Sequence, residues 1–197
     1  MDLDLDKPLV YVGIGARDTP LEQVKGSTRV YPIRRIESLA QTLAEHRWVL
    51  RTGLARGADQ AFHRGAIKGG GRYELYLPWP AFELGARDRV TESVVMEQPT
   101  LDAFLLAQAI HPNWPRVGLR ARPLHARNGH EVLGQELDDP ADLVICWVAN
   151  GSRDGIGRDS GGTGQALRIA AAKGIPVLNI ARDDDVEVIQ QLLGKRA

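Results

Sequence analysis

The sequence predicts an α/β protein with a doubly wound, mostly parallel sheet of about five strands and helices on both faces. Short apolar runs alternate with segments of helical periodicity, and glycine-rich turns follow several of these runs. The stretch 142–148 (DLVICWV) also contains an unbroken apolar run, which is typical of a strand covered on both faces. Strands that alternate with helices require crossover connections and a parallel sheet.

Each element follows from the residues in chain order. Apolar runs rich in β-branched and aromatic residues predict strands at 9–14, 48–50, 73–77, 142–148 and 176–180. Apolar residues at helical spacing predict helices at 32–44, 58–67, 102–110, 124–133, 161–173 and 184–193. The polar stretch 17–29 is interpreted as a loop. We expect one Rossmann-like domain over residues 1–197, with a helical insertion at about 82–137.

The composition limits the classes of partner. Among 197 residues, 25 basic and 25 acidic side chains give zero net charge, which argues against a nucleic-acid binder that works by charge alone. Near-zero net charge favours self-association. The acidic start, MDLDLDKPLV, is unlike a signal peptide, and no apolar stretch approaches the ~20 residues that span a bilayer. We expect a cytoplasmic protein with no membrane partner, and Cys146, the only cysteine, excludes an internal disulfide.

Three glycine-rich segments follow predicted strands: GIGAR at 13–17, TGLARGAD at 52–59 and SGGTG at 160–164. In an open parallel sheet, the carboxyl ends of the strands share one edge, where ligands bind. Glycine lets the backbone approach a ligand, and helix N-termini offer free N–H groups to phosphate. Each segment alone is explained by a tight turn. Together they predict a phosphate or ribose site, to which Arg17 and Arg56 would add charge.

Two alternatives stay open for Asp59, which stands just inside the second predicted helix. In the first, its carboxylate interacts favourably with the positive, N-terminal end of the helix dipole. In the second, it accepts a hydrogen bond from a ribose hydroxyl or a loop N–H. Common fingerprints are absent from the sequence, which contains no GxGxxG, GxxxxGK[ST], HExxH or GxSxG. A nucleotide ligand is expected, and no metal or resident cofactor is firmly implied.

The glycine-rich segments resemble the SLOG superfamily, which includes the DNA-processing protein A (Smf) family and the Lonely Guy phosphoribohydrolases. The segment 12–17 (VGIGAR) looks like the superfamily's first-strand Gly-Ser-Arg segment, with Ala16 in place of serine, and TGLARGAD is similar to its SGxAxGxD element. Arg127 and Asn128 resemble the Arg-Asn dipeptide of the DNA-processing relatives, and SGGTG resembles the glycine-rich helix start. The resemblance implies a Rossmann-like fold that binds a nucleotide or nucleic acid at the sheet edge, often as a homodimer.

The segments and the resemblance together identify the candidate ligand-binding residues. They are Gly13, Gly15, Ala16, Arg17, Gly53, Ala55, Gly57, Asp59, Arg127, Asn128, Ser160, Gly161, Gly162, Thr163 and Gly164.

Three functions remain open, of which binding of a nucleotide or nucleotide-derived ligand is preferred. The second is a single-stranded DNA-binding recombination mediator, which would use a basic patch at Arg116, Arg120, Arg122 and Arg127 unless the nearby Trp114 packs inward. The third is a nucleoside-monophosphate phosphoribohydrolase.

The phosphoribohydrolase motif PGGxGTxxE carries a glutamate on the helix after its glycine-rich turn. Here Ser160, Gln165 and Arg168 stand in place of its proline, threonine and glutamate. Cleavage of an N-glycosidic bond needs a carboxylate near the sugar, and Arg168 has the wrong charge for this role. We therefore expect binding rather than catalysis, with Glu131 as the candidate carboxylate if catalysis occurs.

Overall fold

The structure is a computed structural model that describes residues 8–25, 27–86, 94–156 and 161–194. The strands are β1 (Val10–Gly15), β2 (Gln23–Lys25), β3 (Thr28–Val30), β4 (Val49–Thr52), β5 (Tyr73–Tyr76), β6 (Val94–Met96), β7 (Leu143–Trp147) and β8 (Val177–Asn179). The helices are α1 (Pro32–Glu45), α2 (Ala58–Lys68), α3 (Leu101–Ile110), α4 (Arg122–Leu133), α5 (Thr163–Ala172) and α6 (Asp183–Gly194).

Six parallel strands form the main sheet in the order β6-β5-β4-β1-β7-β8. From β1 the chain first builds β4, β5 and β6 on one side, and then returns to place β7 and β8 on the other. The strand order therefore reverses between β1 and β7, where Ile14 pairs with Cys146 and Gly15 with Trp147. In doubly wound sheets this switch point opens a crevice at the carboxyl ends of the strands.

Alternate residues of the central strand β1 belong to cores on opposite faces of the sheet. Tyr11 packs in a cluster with buried residues of α1, α2 and α6. Val12 and Ile14 pack in a second cluster with α4 and α5. The predicted fold class, a doubly wound sheet with helices on both faces, is confirmed.

The sheet differs from the prediction in its strand count. It has six strands rather than about five, because β6 pairs with β5 within the stretch 82–137 that was predicted to be helical. The stretch 17–29, predicted as a loop, contains β2 and the first two residues of β3, which form an antiparallel pair. Each of these strands has only three residues and lacks the long apolar pattern that marks a buried strand.

Buried groups at the carboxyl ends of β7 and β8 hold the loop that follows β7. Asn179 accepts hydrogen bonds from the backbone N–H groups of Val148 (3.2 Å) and Ala181 (3.1 Å). Its amide nitrogen donates to the carbonyl oxygens of Val148 (3.1 Å) and Ser152 (2.9 Å). Beside it, Cys146 is fully buried in β7, and burial raises the pKa of its thiol. Among the described helices, none is long and apolar enough to span a bilayer.

We expect the variant Asn179→Ala to lower the free energy of unfolding by about 2–3 kcal/mol, because the buried N–H of Val148 loses its acceptor. Urea denaturation measures the change. Asn113→Ala, at an exposed site, is the control and should stay within about 0.5 kcal/mol of the parent protein. Equal stability of the two variants would contradict this account of the loop.

Candidate ligand-binding site

A hollow of about 470 Å³ lies at the switch point, where β1 and β7 end. Its wall combines the end of β1 and the loop after it, the start of α2, one face of α4, the end of β7 and the start of α5. The lining residues are Ile14, Gly15, Ala16, Arg17, Asp18, Ala55, Asp59, Leu124, His125, Arg127, Asn128, Glu131, Val148, Gly161, Gly162 and Thr163. Elements that are far apart in sequence therefore share one concavity.

Most of the candidate residues named from the sequence lie on this wall. They are Gly15, Ala16, Arg17, Ala55, Asp59, Arg127, Asn128, Gly161, Gly162, Thr163 and the candidate carboxylate Glu131. Gly13, Gly53, Gly57 and Gly164 do not line the hollow. Ser160 lies outside the described residues.

Three of the glycines behind the wall are needed for close packing. A Cβ atom on Gly53 would overlap the guanidinium of Arg127, and one on Gly13 would lie 2.6 Å from a side-chain carbon of Leu50. Gly57 has a φ of +83°, and a Cβ there would collide with the carbonyl oxygen of Ala16. These glycines therefore act on the hollow indirectly, by letting neighbouring segments approach one another.

Arg127 is the buried centre of the site. Its Nη1 donates to Glu131 Oε1 at 2.9 Å, and its Nη2 donates to Asp59 Oδ2 at 3.4 Å. The exposed fractions of the Arg127, Asp59 and Glu131 side chains are only 7%, 3% and 1%. The guanidinium therefore binds two carboxyl groups in surroundings that are largely withdrawn from water.

Asp59 connects this ion pair to two backbone segments. Its Oδ1 accepts the N–H of Gly15 at 3.1 Å, and its Oδ2 accepts the N–H of Ala55 at 3.3 Å. The two alternatives left open by the sequence do not exclude each other: Asp59 lies in the first turn of α2, where the helix dipole favours a negative charge, and it also binds loop N–H groups. Asp59 thereby fixes the loop after β1 against the start of α2.

Two carboxyl groups share one guanidinium, so the charges of the cluster do not balance. Burial raises the pKa of Glu131 to about 8; the Arg127 charge opposes the shift, and the Asp59 charge adds to it. Burial also raises the pKa of Asp59, although the Arg127 charge and the hydrogen bonds from two backbone N–H groups oppose the shift. Because Asp59 accepts three hydrogen bonds and Glu131 accepts one, the proton resides on Glu131 at neutral pH.

The lining face of α4 follows from helical spacing. Leu124, Asn128 and Glu131 are separated by four and three residues, so they lie on the same side of the helix. His125 was not among the residues predicted for the site, although it lies three residues before Asn128. Burial, assisted by the charges of His111, Arg168 and Arg127, lowers the pKa of His125 to about 4. His125 is therefore a neutral wall residue at physiological pH.

The start of α5 forms the other side of the hollow. Gly161 and Gly162 are exposed, and the amide of Asn128 donates to the carbonyl oxygen of Gly162 at 3.0 Å. The first backbone N–H groups of a helix have no partner within the helix and attract anions. Arg17 is exposed on the wall and forms no ion pair within the described part of the chain.

Other residues considered from the sequence lie elsewhere. Arg56 does not reach the hollow; it is exposed and pairs with Glu83 at 3.3 Å. Arg168, at the position of the phosphoribohydrolase glutamate, donates to the carbonyl oxygen of Gly155 at 2.7 Å. Its Nη2 also donates to Oε1 of Gln165 at 3.0 Å. Arg168 therefore supports the loop after β7 from behind the wall.

The four arginines considered for a single-stranded DNA patch differ in burial. Arg127 is buried in the hollow, while Arg116 and Arg120 are exposed. Trp114 packs inward between α3 and α4, and the Arg122 guanidinium lies 5.3 Å from the centre of its ring. Within residues 8–25, 27–86, 94–156 and 161–194, no cluster of three or more His, Cys, Asp or Glu residues could hold a metal ion.

The pKa of Glu131 predicts that stability falls as pH rises. Between pH 4.5 and 8 the folded state keeps a proton that the unfolded state releases, so the free energy of unfolding decreases with pH. The slope for one proton is at most about 1.4 kcal/mol per pH unit. The lowered pKa of His125 gives a slope of opposite sign below about pH 6.5, so urea denaturation is compared from pH 7 to 8. The free energy of unfolding should fall more steeply with pH in the parent protein and in the exposed control Glu187→Gln than in Glu131→Gln. Equal slopes in the parent protein and Glu131→Gln would contradict the assignment.

Removal of the Arg127 guanidinium should lower the free energy of unfolding substantially. Arg127→Met leaves two buried carboxyl groups unpaired, and we expect a loss of about 3–5 kcal/mol at pH 8. The loss should be smaller at pH 5, where protons can neutralise the carboxylates. Arg64→Met, which breaks the exposed pair with Glu37, should cost less than about 1 kcal/mol by the same denaturation assay. Similar losses in both variants would show that Arg127 is no more important than a surface cation.

The chain is similar in structure to solved proteins at low sequence identity, whereas no family model and no curated protein matches it. A Moco carrier protein from Chlamydomonas reinhardtii aligns with 16% identity and a TM-score of 0.45, over 95% of this chain and 84% of that one. A second structure of the molybdenum cofactor carrier protein from this alga has 15% identity and a TM-score of 0.39, over 95% and 99%.

DNA processing protein A from Streptococcus pneumoniae, of a family that the sequence motifs resemble, aligns with 18% identity and a TM-score of 0.37, over 93% of this chain. The chain spans 62% of that protein, less than two thirds of its length. Because all three TM-scores lie below 0.5, the function proposed for this chain rests on the geometry of its own residues.

Proposed function

We propose that the hollow binds a nucleotide or nucleotide-derived ligand through its phosphate and ribose. One observation carries the proposal: the loop after β1, the start of α2 and the start of α5 line a single hollow at the switch point of the sheet. A volume of about 470 Å³ is within the range of small-molecule sites, which extends from roughly 300 to 1,000 Å³. The site therefore suits a ligand of mononucleotide size.

The start of α5 supplies the phosphate side of the proposed site. Gly162 has an ordinary helical φ of −66°, and a Cβ on it would meet nothing within 4 Å. Neither backbone strain nor packing inside the described chain therefore requires glycine at this position. A phosphate in contact with the N–H groups of the first turn would need this space, and Arg17 would add a charge-assisted hydrogen bond.

The buried cluster supplies the sugar side. Asp59 and Glu131 place carboxyl groups on the wall beside Arg127, and carboxyl oxygens are suited to hydrogen bonds with sugar hydroxyl groups. Strongly shifted pKa values in a cleft are more common at functional sites than elsewhere. This chemistry and the phosphate side together favour a phosphorylated sugar over a simple inorganic anion.

A second candidate function is hydrolysis of a nucleoside monophosphate to free base and ribose 5-phosphate. The observation that favours it is the position of Glu131 on the wall, with its pKa raised to about 8. A carboxylic acid that keeps its proton near neutral pH can protonate the leaving base as the N-glycosidic bond breaks. Water then adds to the sugar carbon, and the proton it releases returns to the Glu131 carboxylate. Free base released from adenosine 5′-monophosphate by the parent protein, and lost in Glu131→Gln, would establish this activity.

The proposed binding predicts which ligands stabilise the protein. Ribose 5-phosphate, adenosine 5′-monophosphate and ADP-ribose should raise the melting temperature, whereas adenosine without phosphate should not. At one hundred times the dissociation constant the expected stabilisation is about 2.7 kcal/mol. Gly162→Val and Arg17→Gln should each weaken binding at least tenfold without lowering the melting temperature of the free protein.

The exposed glycine Gly118, which also has open space at its Cβ, provides the matched control Gly118→Val. This variant should bind as the parent protein does. If no phosphorylated sugar binds, or if the Gly162 and Arg17 variants bind normally, the proposed site is wrong. A short oligonucleotide that binds more tightly than the mononucleotides, with steep salt dependence, would favour the single-stranded DNA mediator instead.

A further inference from the structure

The carboxyl group of Glu131 has one oxygen that the described protein does not use. Its Oε1 accepts the Arg127 guanidinium at 2.9 Å, while its buried Oε2 has no hydrogen-bond partner among the described residues. The side chain is 1% exposed, yet the residue lines the hollow. A buried polar atom without a partner costs free energy that a ligand can recover by pairing with it.

Glu131 Oε2 is also the oxygen that can bind a proton without displacing a hydrogen-bond donor. Asp59 uses both of its oxygens for hydrogen bonds from Gly15, Ala55 and Arg127, so a proton there would displace a donor. Glu131 can carry the proton on Oε2 and still accept from Arg127 on Oε1. In this protonation state Oε2–H is a hydrogen-bond donor on a residue that lines the hollow.

We propose that Glu131 acts as a neutral acid that selects ribose, donating from Oε2 to a hydroxyl oxygen of the ligand's sugar and linking ligand binding to the proton it holds. This inference rests on the proposed function, since it deepens the recognition at the same site. The ligand class is then ribose phosphates, rather than deoxyribose phosphates or inorganic anions. A site built to hydrogen-bond a hydroxyl discriminates strongly against an analogue that lacks it.

The other charged and titratable groups near Glu131 are arranged differently. On α2, Asp59 is an acceptor. On α4, Arg127 binds both acids through Nη1 and Nη2, and its Nε–H, which has no partner among the described residues, is a donor that Glu131→Met leaves in place. His125 on α4 is neutral above pH 5, because its pKa is lowered to about 4. On α5, Arg168 is bonded to Gly155 and Gln165.

The remaining charged groups lie in a separate network or at the rim. On β4 and β5, Arg51 binds Glu74 and Asp139, and Tyr76 donates to Glu74. His130, also on α4, contacts Thr100 and the carbonyl oxygen of Gly134. Arg17 and Asp18 lie on the exposed side of the wall. A phosphate monoester on the ligand titrates near pH 6, below the range in which Glu131 loses its proton.

The direction of the pH effect follows from the role of the proton. Below pH 8 Glu131 is neutral and donates; as pH rises above 8, it loses the donor and gains a buried charge. Ligand affinity should therefore fall as pH rises through the range near 8 in which Glu131 loses its proton, approaching roughly tenfold per pH unit for one proton at higher pH. An ionised Glu131 would repel the ligand's phosphate in addition.

Isothermal titration calorimetry with adenosine 5′-monophosphate and its 2′-deoxy and 3′-deoxy forms, from pH 7 to 10, tests the inference. The parent protein should bind at least one deoxy form tenfold or more weakly, and its affinity should fall above pH 8. Glu131→Gln, which retains a donor without a titrating proton, should abolish the fall. Glu131→Met retains the approximate size of the side chain but has no hydrogen-bond donor, so its affinities for the three ligands should lie within twofold of one another.

The outcomes separate the two proposals. Binding of the three ligands with equal affinity, or a pH dependence that persists in Glu131→Gln, overturns the role of Glu131 and leaves the proposed function intact. If the parent protein binds neither adenosine 5′-monophosphate nor ribose 5-phosphate at any pH, both proposals are overturned. Circular dichroism of each variant confirms that the comparison is made between folded proteins.

Discussion

The site depends on the burial of one guanidinium between two carboxyl groups. Arg127 comes from α4, Asp59 from the start of α2, and the space that the guanidinium occupies is the space a side chain at Gly53 would need. Asp59 then extends the interaction to the backbone at Gly15. These interactions therefore hold together three segments: the loop after β1, the loop after β4 and the middle of α4. The walls of the hollow depend on this arrangement.

Stability alone does not account for this cluster. Apolar side chains of similar volume often replace buried ion pairs at no cost, because removing charges from water is expensive. The cluster also contains one more acid than base and leaves Glu131 Oε2 and Arg127 Nε without partners among the described residues. Elsewhere in the fold, buried charge is well satisfied: Arg51 binds Glu74 and both the side chain and backbone of Asp139. Buried atoms without a partner in the described chain also occur elsewhere, as at the hydroxyl groups of Tyr11 and Tyr73, but Glu131 and Arg127 line the hollow, where a ligand can complete the set.

The alternation of apolar runs and amphipathic segments was sufficient to predict the fold class and the main helices and strands. β6 and the pair β2 and β3 were missed because three-residue strands are determined by their neighbours in space. For the site, the glycine-rich loops predicted that Gly15, Asp59 and Gly162 lie at one sheet edge, and in the structure all three line the hollow, while their role in ligand binding stays a prediction.

The role of Gly53 could not be predicted in this way, since it depends on a side chain of α4 that reaches the loop only in the folded chain. Glu131 was named from the sequence as the candidate carboxylate, and it lies on the wall because it is one helical turn beyond Arg127 and Asn128. The sequence could not predict that the cluster has one more acid than base, or that this acid keeps its proton, because both depend on how deeply the side chains are buried.

The single cysteine has a practical consequence of its own. Cys146 lies fully buried in β7, next to β1 at the switch point, and its thiol is held in the unreactive protonated form. An alkylating reagent can reach the sulfur only when β7 separates from its neighbours. The rate at which Cys146 is alkylated therefore reports how often the central sheet opens, and this measurement needs no engineered cysteine.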